Sequence, residues 1–159
     1  MGTQIRGGRK RDAEQFVSLV RALAKFEQLN PPSAEGTRRL VDDIFKKKRV
    51  NLIVASDDGR LVGYALYFYN YSSFVAKPTL YLEDLFVLDE YRKRGIGFAL
   101  FRKCVDIAIS EGCGRMEWAV LTWNEKALNF YEKLGARRMS DWYVYRLDEQ
   151  ALDKVPRKV

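Results

Sequence analysis

Histidine is missing altogether from the 159 residues. Its absence excludes Ser–His–Asp and Cys–His triads, the common zinc sites and a histidine general base. Cysteine is down to two, Cys104 and Cys113. They give neither a metal-ligand spacing nor a disulfide framework, and a reducing cytoplasm fits. Cys104 falls on the apolar face of a predicted helix and reads as a small core residue. No apolar run approaches the ~18 residues a membrane-spanning helix needs. The opening Met1-Gly2-Thr3-Gln4-Ile5-Arg6 shows no signal-peptide apolar region. Arg6 stands where a myristoylation signal requires Ser or Thr. No Gly-Lys-Ser or Gly-Lys-Thr occurs, and Gly95-Ile96-Gly97 is followed by Leu100 instead of a third glycine. The Walker and dinucleotide fingerprints are therefore both absent.

What is present is an ordinary globular composition, 47% apolar and 13% aromatic. One domain spanning 1–159 is expected, with a frayed tail over 151–159. Net charge is +7. The charge is spread out, with short clusters at Arg9-Lys10-Arg11, 46–49 and 92–94. This pattern reads as a solvated surface plus one anion site; no nucleic acid and no membrane are expected as partners.

Periodicity sets the order of elements. Ile5-Arg6 starts a short strand. Asp12 precedes Ala13, Phe16, Val17, Val20, Leu23 and Ala24 at helical spacing. Asn30-Pro31-Pro32-Ser33 breaks the chain before a second helix over about 35–48. Strands are predicted over 50–56 and 61–69, joined by the turn signal Asp57-Asp58-Gly59. An aromatic-rich loop, 71–77, leads to a strand over 80–88. A helix over 98–111, a strand over 116–121, a helix over 124–134 and a last strand over 142–147 follow. This order predicts an α/β sheet of mixed direction.

The most informative stretch is Tyr91-Arg92-Lys93-Arg94-Gly95-Ile96-Gly97. A strand, a basic glycine turn and a helix start form a seat for a phosphate. Successive backbone N–H groups face the ligand, and the helix start adds roughly half a positive charge. Glycine lets an anion approach the main chain closely. A second cluster runs from Thr122 to Ala136. Asn124 sits at a strand–helix junction, as a cap or as a ligand group. Tyr131 is in phase with Ala127, Phe130 and Leu134. It can be a core tyrosine or a general acid. A third feature is Glu83-Asp84, inside the apolar run Leu80 to Leu88. Neighbours on a strand point to opposite faces, so the two carboxylates share a task only across a bulge. One of them could attract or deprotonate a cationic amine.

Together these residues resemble the GNAT superfamily of N-acetyltransferases. Arg92 to Gly97 is similar to its acetyl-CoA pyrophosphate loop. Asn124 with Phe130-Tyr131-x-x-Leu134-Gly135-Ala136 is similar to its second CoA-side motif. Ile5-Arg6 with Asp12-Ala13 is similar to the family's opening. Ala24 to Glu27, Val62 to Phe68, Tyr81 to Val87 and Trp123 to Glu125 look closest to the diamine (spermidine/spermine-type) acetyltransferases. The resemblance implies a single α/β domain with a mixed, mostly antiparallel twisted sheet of about six to seven strands and about four helices. It implies acetyl-CoA as co-substrate, contacted by Leu85, Phe86, Val87, Arg92, Lys93, Arg94, Gly95, Ile96, Gly97, Phe98, Asn124, Ala127 and Tyr131. Phe26, Glu27 and Glu83 would line the acceptor amine site, with Tyr131 and Glu83 as catalytic groups and no metal. A small-molecule amine, a homodimer and a cytoplasmic setting go with it. Two departures stand out. Ser72-Ser73-Phe74 replaces an Asp-Pro-Trp, so one polyamine-binding carboxylate is missing, and a first-helix tyrosine is Phe26 here. The alternatives are protein N-terminal or lysine acetylation, and a non-catalytic acetyl-CoA-binding module. The aromatic loop from Tyr67 to Phe74 suggests a closed small-molecule cleft.

Overall fold

The computed structural model describes residues 2–158. They divide into two compact units, Met1–Ala119 and Val120–Val159. The first holds the sheet. Its strands are β1 (Gln4–Gly7), β2 (Asn51–Asp57), β3 (Arg60–Ser72), β4 (Lys77–Val87) and β5 (Arg115–Glu117). They lie in the order β1-β2-β3-β4-β5. The first four pair antiparallel and β5 pairs parallel with β4. Helices α1 (Ala13–Glu27), α2 (Ala34–Phe45) and α3 (Ile96–Ser110) belong to this unit.

Why α1 begins where it does is clear from Arg6 and Asp12. Asp12 is 4% exposed. Both its oxygens accept from the Arg6 guanidinium, at 2.7 and 2.9 Å. The Arg9 N–H donates to the same carboxylate at 2.7 Å. The first strand is thereby tied to the first helix. The helix buries Phe16 and Leu19 against Leu52, Val54, Leu61, Tyr64, Leu66 and Phe86. Beyond Glu27 the chain turns through Gln28 at φ 59, with the Leu29 N–H bonded back to the Ala24 carbonyl at 2.9 Å. That left-handed stop fixes Phe26 and Glu27 in the last helical turn.

β3 and β4 form a long hairpin that takes in Tyr71, Ser72 and Lys77 of the predicted aromatic loop. The tip is closed by Ser72, whose Oγ accepts from the Val75 N–H at 3.2 Å. Phe74, at the tip, is fully exposed, whereas Tyr67 is buried. Cys104 is fully buried on α3, and burial pushes its thiol up to about 12. It is the inert core residue that its spacing indicates.

The second unit carries α4 (Glu125–Lys133) and α5 (Glu149–Leu152). Asn124 caps α4, its Oδ1 accepting from the Ala127 N–H at 3.2 Å. Gly135, at φ 86, follows its end. The expected strand over 142–147 is not formed: among the described residues the sheet has five strands, against the six to seven expected, and there are five α-helices against four. Trp142 to Leu147 is rich in strand-forming residues, but propensity alone makes no strand without a ladder partner. Ala151 and Leu152, placed in a frayed tail, instead end α5, capped by Asp148 Oδ1 on the Ala151 N–H at 2.8 Å.

Candidate functional site

The site is built on β4. Along the β3–β4 ladder Leu66 faces Asp84, whereas Tyr67 faces Leu82. Glu83 is the extra residue, a β-bulge. It turns the alternation of β4 over. Leu80 and Leu82 share the face of Tyr69 and Tyr67, but Asp84 and Phe86 share the opposite face with Leu66 and Tyr64. Two adjacent acids that plain pleating would separate are therefore presented around one spot.

Asp84 is half-buried there. The Tyr64 hydroxyl donates to its Oδ2 at 3.0 Å. Burial pushes the Asp84 carboxyl up to about 6; the Tyr64 hydrogen bond opposes this, and the charges of Glu83 and Glu27 add to it. Burial also raises Glu27, at the end of α1. Tyr64 itself is pushed far above the ordinary phenol range by burial and by the three carboxylates. Glu83 is exposed. Three acids from α1 and β4 thus act on one another around a buried phenol, an arrangement that favours a cation beside them.

The edge of β4 away from β3 is the second component. The Leu88 N–H bonds to the Val62 carbonyl at 2.9 Å. Antiparallel alternation then directs the N–H groups of Leu85 and Val87 to the other edge. β5 pairs with that edge only as far as Tyr81, opposite Glu117. Among the described residues no strand ladder covers the edge beyond it. The bulge at Glu83 lies just ahead of this open stretch of edge.

The third component is the basic turn. Lys93 has φ 62 and Gly95 has φ 78, and Gly95 is the N-cap of α3. The Ala99 N–H is the first to reach back along the helix, to the Gly95 carbonyl at 2.9 Å. The N–H groups of Ile96, Gly97 and Phe98 have no partner within the helix. A Cβ on Gly97 would meet only Val87 Cγ2, at 3.9 Å, an ordinary contact. The chain itself does not require glycine there; a close-approaching ligand would.

The Arg92 side chain is engaged within the chain. Its Nε donates to the Val87 carbonyl at 3.0 Å, and its Nη1 lies 2.7 Å from Asp89 Oδ1. The guanidinium packs on the rings of Phe26, at 4.8 Å, and Phe86, at 5.7 Å. It joins the turn to α1 and β4. Arg94 lies over the Tyr91 ring at 5.1 Å. Glu27 is brought within electrostatic reach of Asp84, and Phe26 packs against the core cluster and under the Arg92 guanidinium. Asp84 with Tyr64 is the pair that sequence reasoning did not assign to the site. The signal was there in two apposed runs, Gly63-Tyr64-Ala65 and Glu83-Asp84-Leu85, but only the register joins them. In the second unit, Asn124 and Ala127 form the α4 cap, and Tyr131 lies in α4 with its ring 5.1 Å from that of Phe130.

A basic glycine turn follows a bulged strand whose open edge offers N–H groups, on an antiparallel sheet that gains one parallel strand. That combination fits the class of acyl-CoA-dependent acetyltransferases. The profile of the acetyltransferase (GNAT) family matches residues 18–136, and the chain belongs to that family. It is 33% identical to a mouse thialysine N-epsilon-acetyltransferase over 94% of this chain and 95% of that one. It is 40% identical to an Arabidopsis thaliana L-ornithine N5-acetyltransferase over 62% of this chain, which is 43% of the relative. Among solved structures, an integron cassette protein from Vibrio cholerae superposes with a TM-score of 0.81. It is 24% identical and covers 97% of each chain, which bears on the fold alone.

Proposed function

We propose that this chain moves acetyl from acetyl-CoA to a primary amine of a small molecule, of diamine, polyamine or lysine-like class, by direct attack. The observation that carries the reading is the cluster of Glu27, Glu83 and Asp84 around Tyr64, on the strand that leads into the phosphate-type turn. A protonated amine is drawn to such a cluster, and a relative is named for the lysine-like thialysine. The missing carboxylate at Ser72-Ser73-Phe74 argues for a shorter amine than a long polyamine.

In this reading the N–H groups of residues 92–98 hold the pyrophosphate, with Lys93 and Arg94 adding charge. An N–H of Leu85 or Val87 polarises the thioester carbonyl. Glu83, directly or through water, accepts the proton of the ammonium. The amine nitrogen attacks the carbonyl carbon, the C–S bond breaks, and Tyr131 protonates the departing thiolate. A thiol pKa of ~8.5 makes that acid useful but not obligatory. Asn124 and Ala127 belong to the cofactor side by family resemblance. Homodimeric assembly and a cytoplasmic setting complete the proposal, and sedimentation checks the former.

The test is thiol release from acetyl-CoA with polyamines, lysine analogues, small amines and peptides as acceptors. Saturable release with small amines is the expected result. Release with no acceptor above the rate of hydrolysis would leave a cofactor-binding module instead. Peptide acetylation is the second reading, favoured by the full exposure of Phe74 at the hairpin tip. Peptides outrunning every small amine would establish it.

A further inference from the structure

We propose that Tyr64 is a positioning residue of the acceptor site: its buried hydroxyl aims the Asp84 carboxylate and keeps it ionised, so that Asp84 holds the incoming ammonium. The inference rests on the amine-acetylation reading above and deepens it.

Tyr64 is fully buried. Its ring stands edge-on to Phe16 at 5.1 Å and 87°, and tilted against Phe86 at 6.3 Å and 55°. Phenylalanine would fill the same space, so packing gives no reason for a hydroxyl in this core. A buried hydroxyl is costly unless it is paired. This one donates to Asp84 Oδ2 at 3.0 Å. The bond fixes one carboxylate oxygen and leaves Oδ1 for a ligand.

The groups acting on Asp84 are Tyr64 from β3, Glu27 from α1 and Glu83 from β4 itself. None is a cation. The Arg92 guanidinium, which reaches Phe26 and Phe86, is already engaged by the Val87 carbonyl and Asp89. The phenol is therefore the donor that opposes burial and two like charges. Without it Asp84 holds its proton to higher pH, and a protonated carboxyl neither attracts an ammonium nor accepts its proton. The charges of Glu27 and Glu83 act on Asp84, so an activity profile reports more than one group.

The experiment compares the wild-type chain with Tyr64→Phe in two measurements. Carbon-13 titration of the aspartate side chains, without substrate, should show the Asp84 midpoint rising by about one pH unit. That is a tenfold change in proton affinity, the size expected for one hydrogen bond to a charged group. The acid limb of kcat/KM for the best amine of the screen should rise with it. At neutral pH the KM for the amine should increase several-fold while the KM for acetyl-CoA stays unchanged. In an Asp84→Asn background, Tyr64→Phe should have no further effect on the amine. An unmoved Asp84 midpoint overturns the proposal. So does an acid limb that stays put in Tyr64→Phe but moves in Glu83→Gln. A wild type that acetylates no amine sinks the reading underneath and the acceptor role with it; the titration then still decides whether Tyr64 holds Asp84.

Discussion

Asp12 and Asp84 are both withdrawn from water, and the protein treats them oppositely. Asp12 is met by a guanidinium on both oxygens and by the Arg9 N–H. Those partners hold its carboxyl below the usual range, the Arg6 hydrogen bond contributing most. Asp84 is met by one phenol and two further acids, and it is pushed up to about 6, chiefly by burial. The first carboxylate is neutralised within the fold and serves it. The second is left short of positive charge, and the shortfall is what a cationic substrate can fill. A polar group whose partners are incomplete inside the chain is the better guide to function.

Breaking the satisfied site should have the largest effect. Asp12→Ala leaves Arg6 poorly paired and should lower stability by about 3–5 kcal/mol in a denaturant melt. A loss under ~1 kcal/mol would make the pair no better than a surface one.

Asp84→Asn should reverse the pattern. Stability at neutral pH should hold or rise, because a crowded buried charge is removed. Meanwhile kcat/KM for the amine should fall about 100-fold, the scale of a lost charged contact or acid–base group. Equal losses of stability and activity would erase the distinction between the two sites.

Stability against pH sharpens the comparison further. Asp12 has a depressed folded value, so its contribution is present above the ordinary carboxylate range and is lost as pH falls through that depressed value. Asp84 has a raised folded value, so its contribution is greatest in acid and is lost as pH rises from the ordinary carboxylate value to about 6. Thermal melts of Asp84→Asn should lack that second fall. Melts in which Asp84→Asn matches the wild type across this window would show Asp84 to be ordinary.

The smallest effect concerns the turn. Gly97→Ala meets only an ordinary 3.9 Å contact with Val87. It should stabilise the chain by ~0.5 kcal/mol through helix propensity. Its cost should appear as a raised KM for acetyl-CoA. An unchanged KM would mean that nothing approaches Gly97 closely.

Much of this was legible in the sequence. The strand–turn–helix around Gly95 is local, and so are the α4 cap at Asn124 and the hairpin signal at Asp57 to Gly59. Each depends on backbone preferences within a few residues. What the sequence did not show is the packing of the Arg92 guanidinium on the Phe26 ring, because Phe26 lies on α1, far off in the chain. Trp142 to Leu147 was read as a strand because β propensity is visible and the presence of a ladder partner is not.

The sequence by itself determined the family, through its basic glycine turn and the motif around Asn124 and Tyr131. It contains no histidine and no metal-spaced cysteines. Tertiary structure alone decided which acids gather around Tyr64. One inserted residue at Glu83 reverses the pleat, bringing Asp84 onto the face of Tyr64 and to within 3.0 Å of its hydroxyl. A bulge is a property of two strands in register, and no single run of residues encodes it.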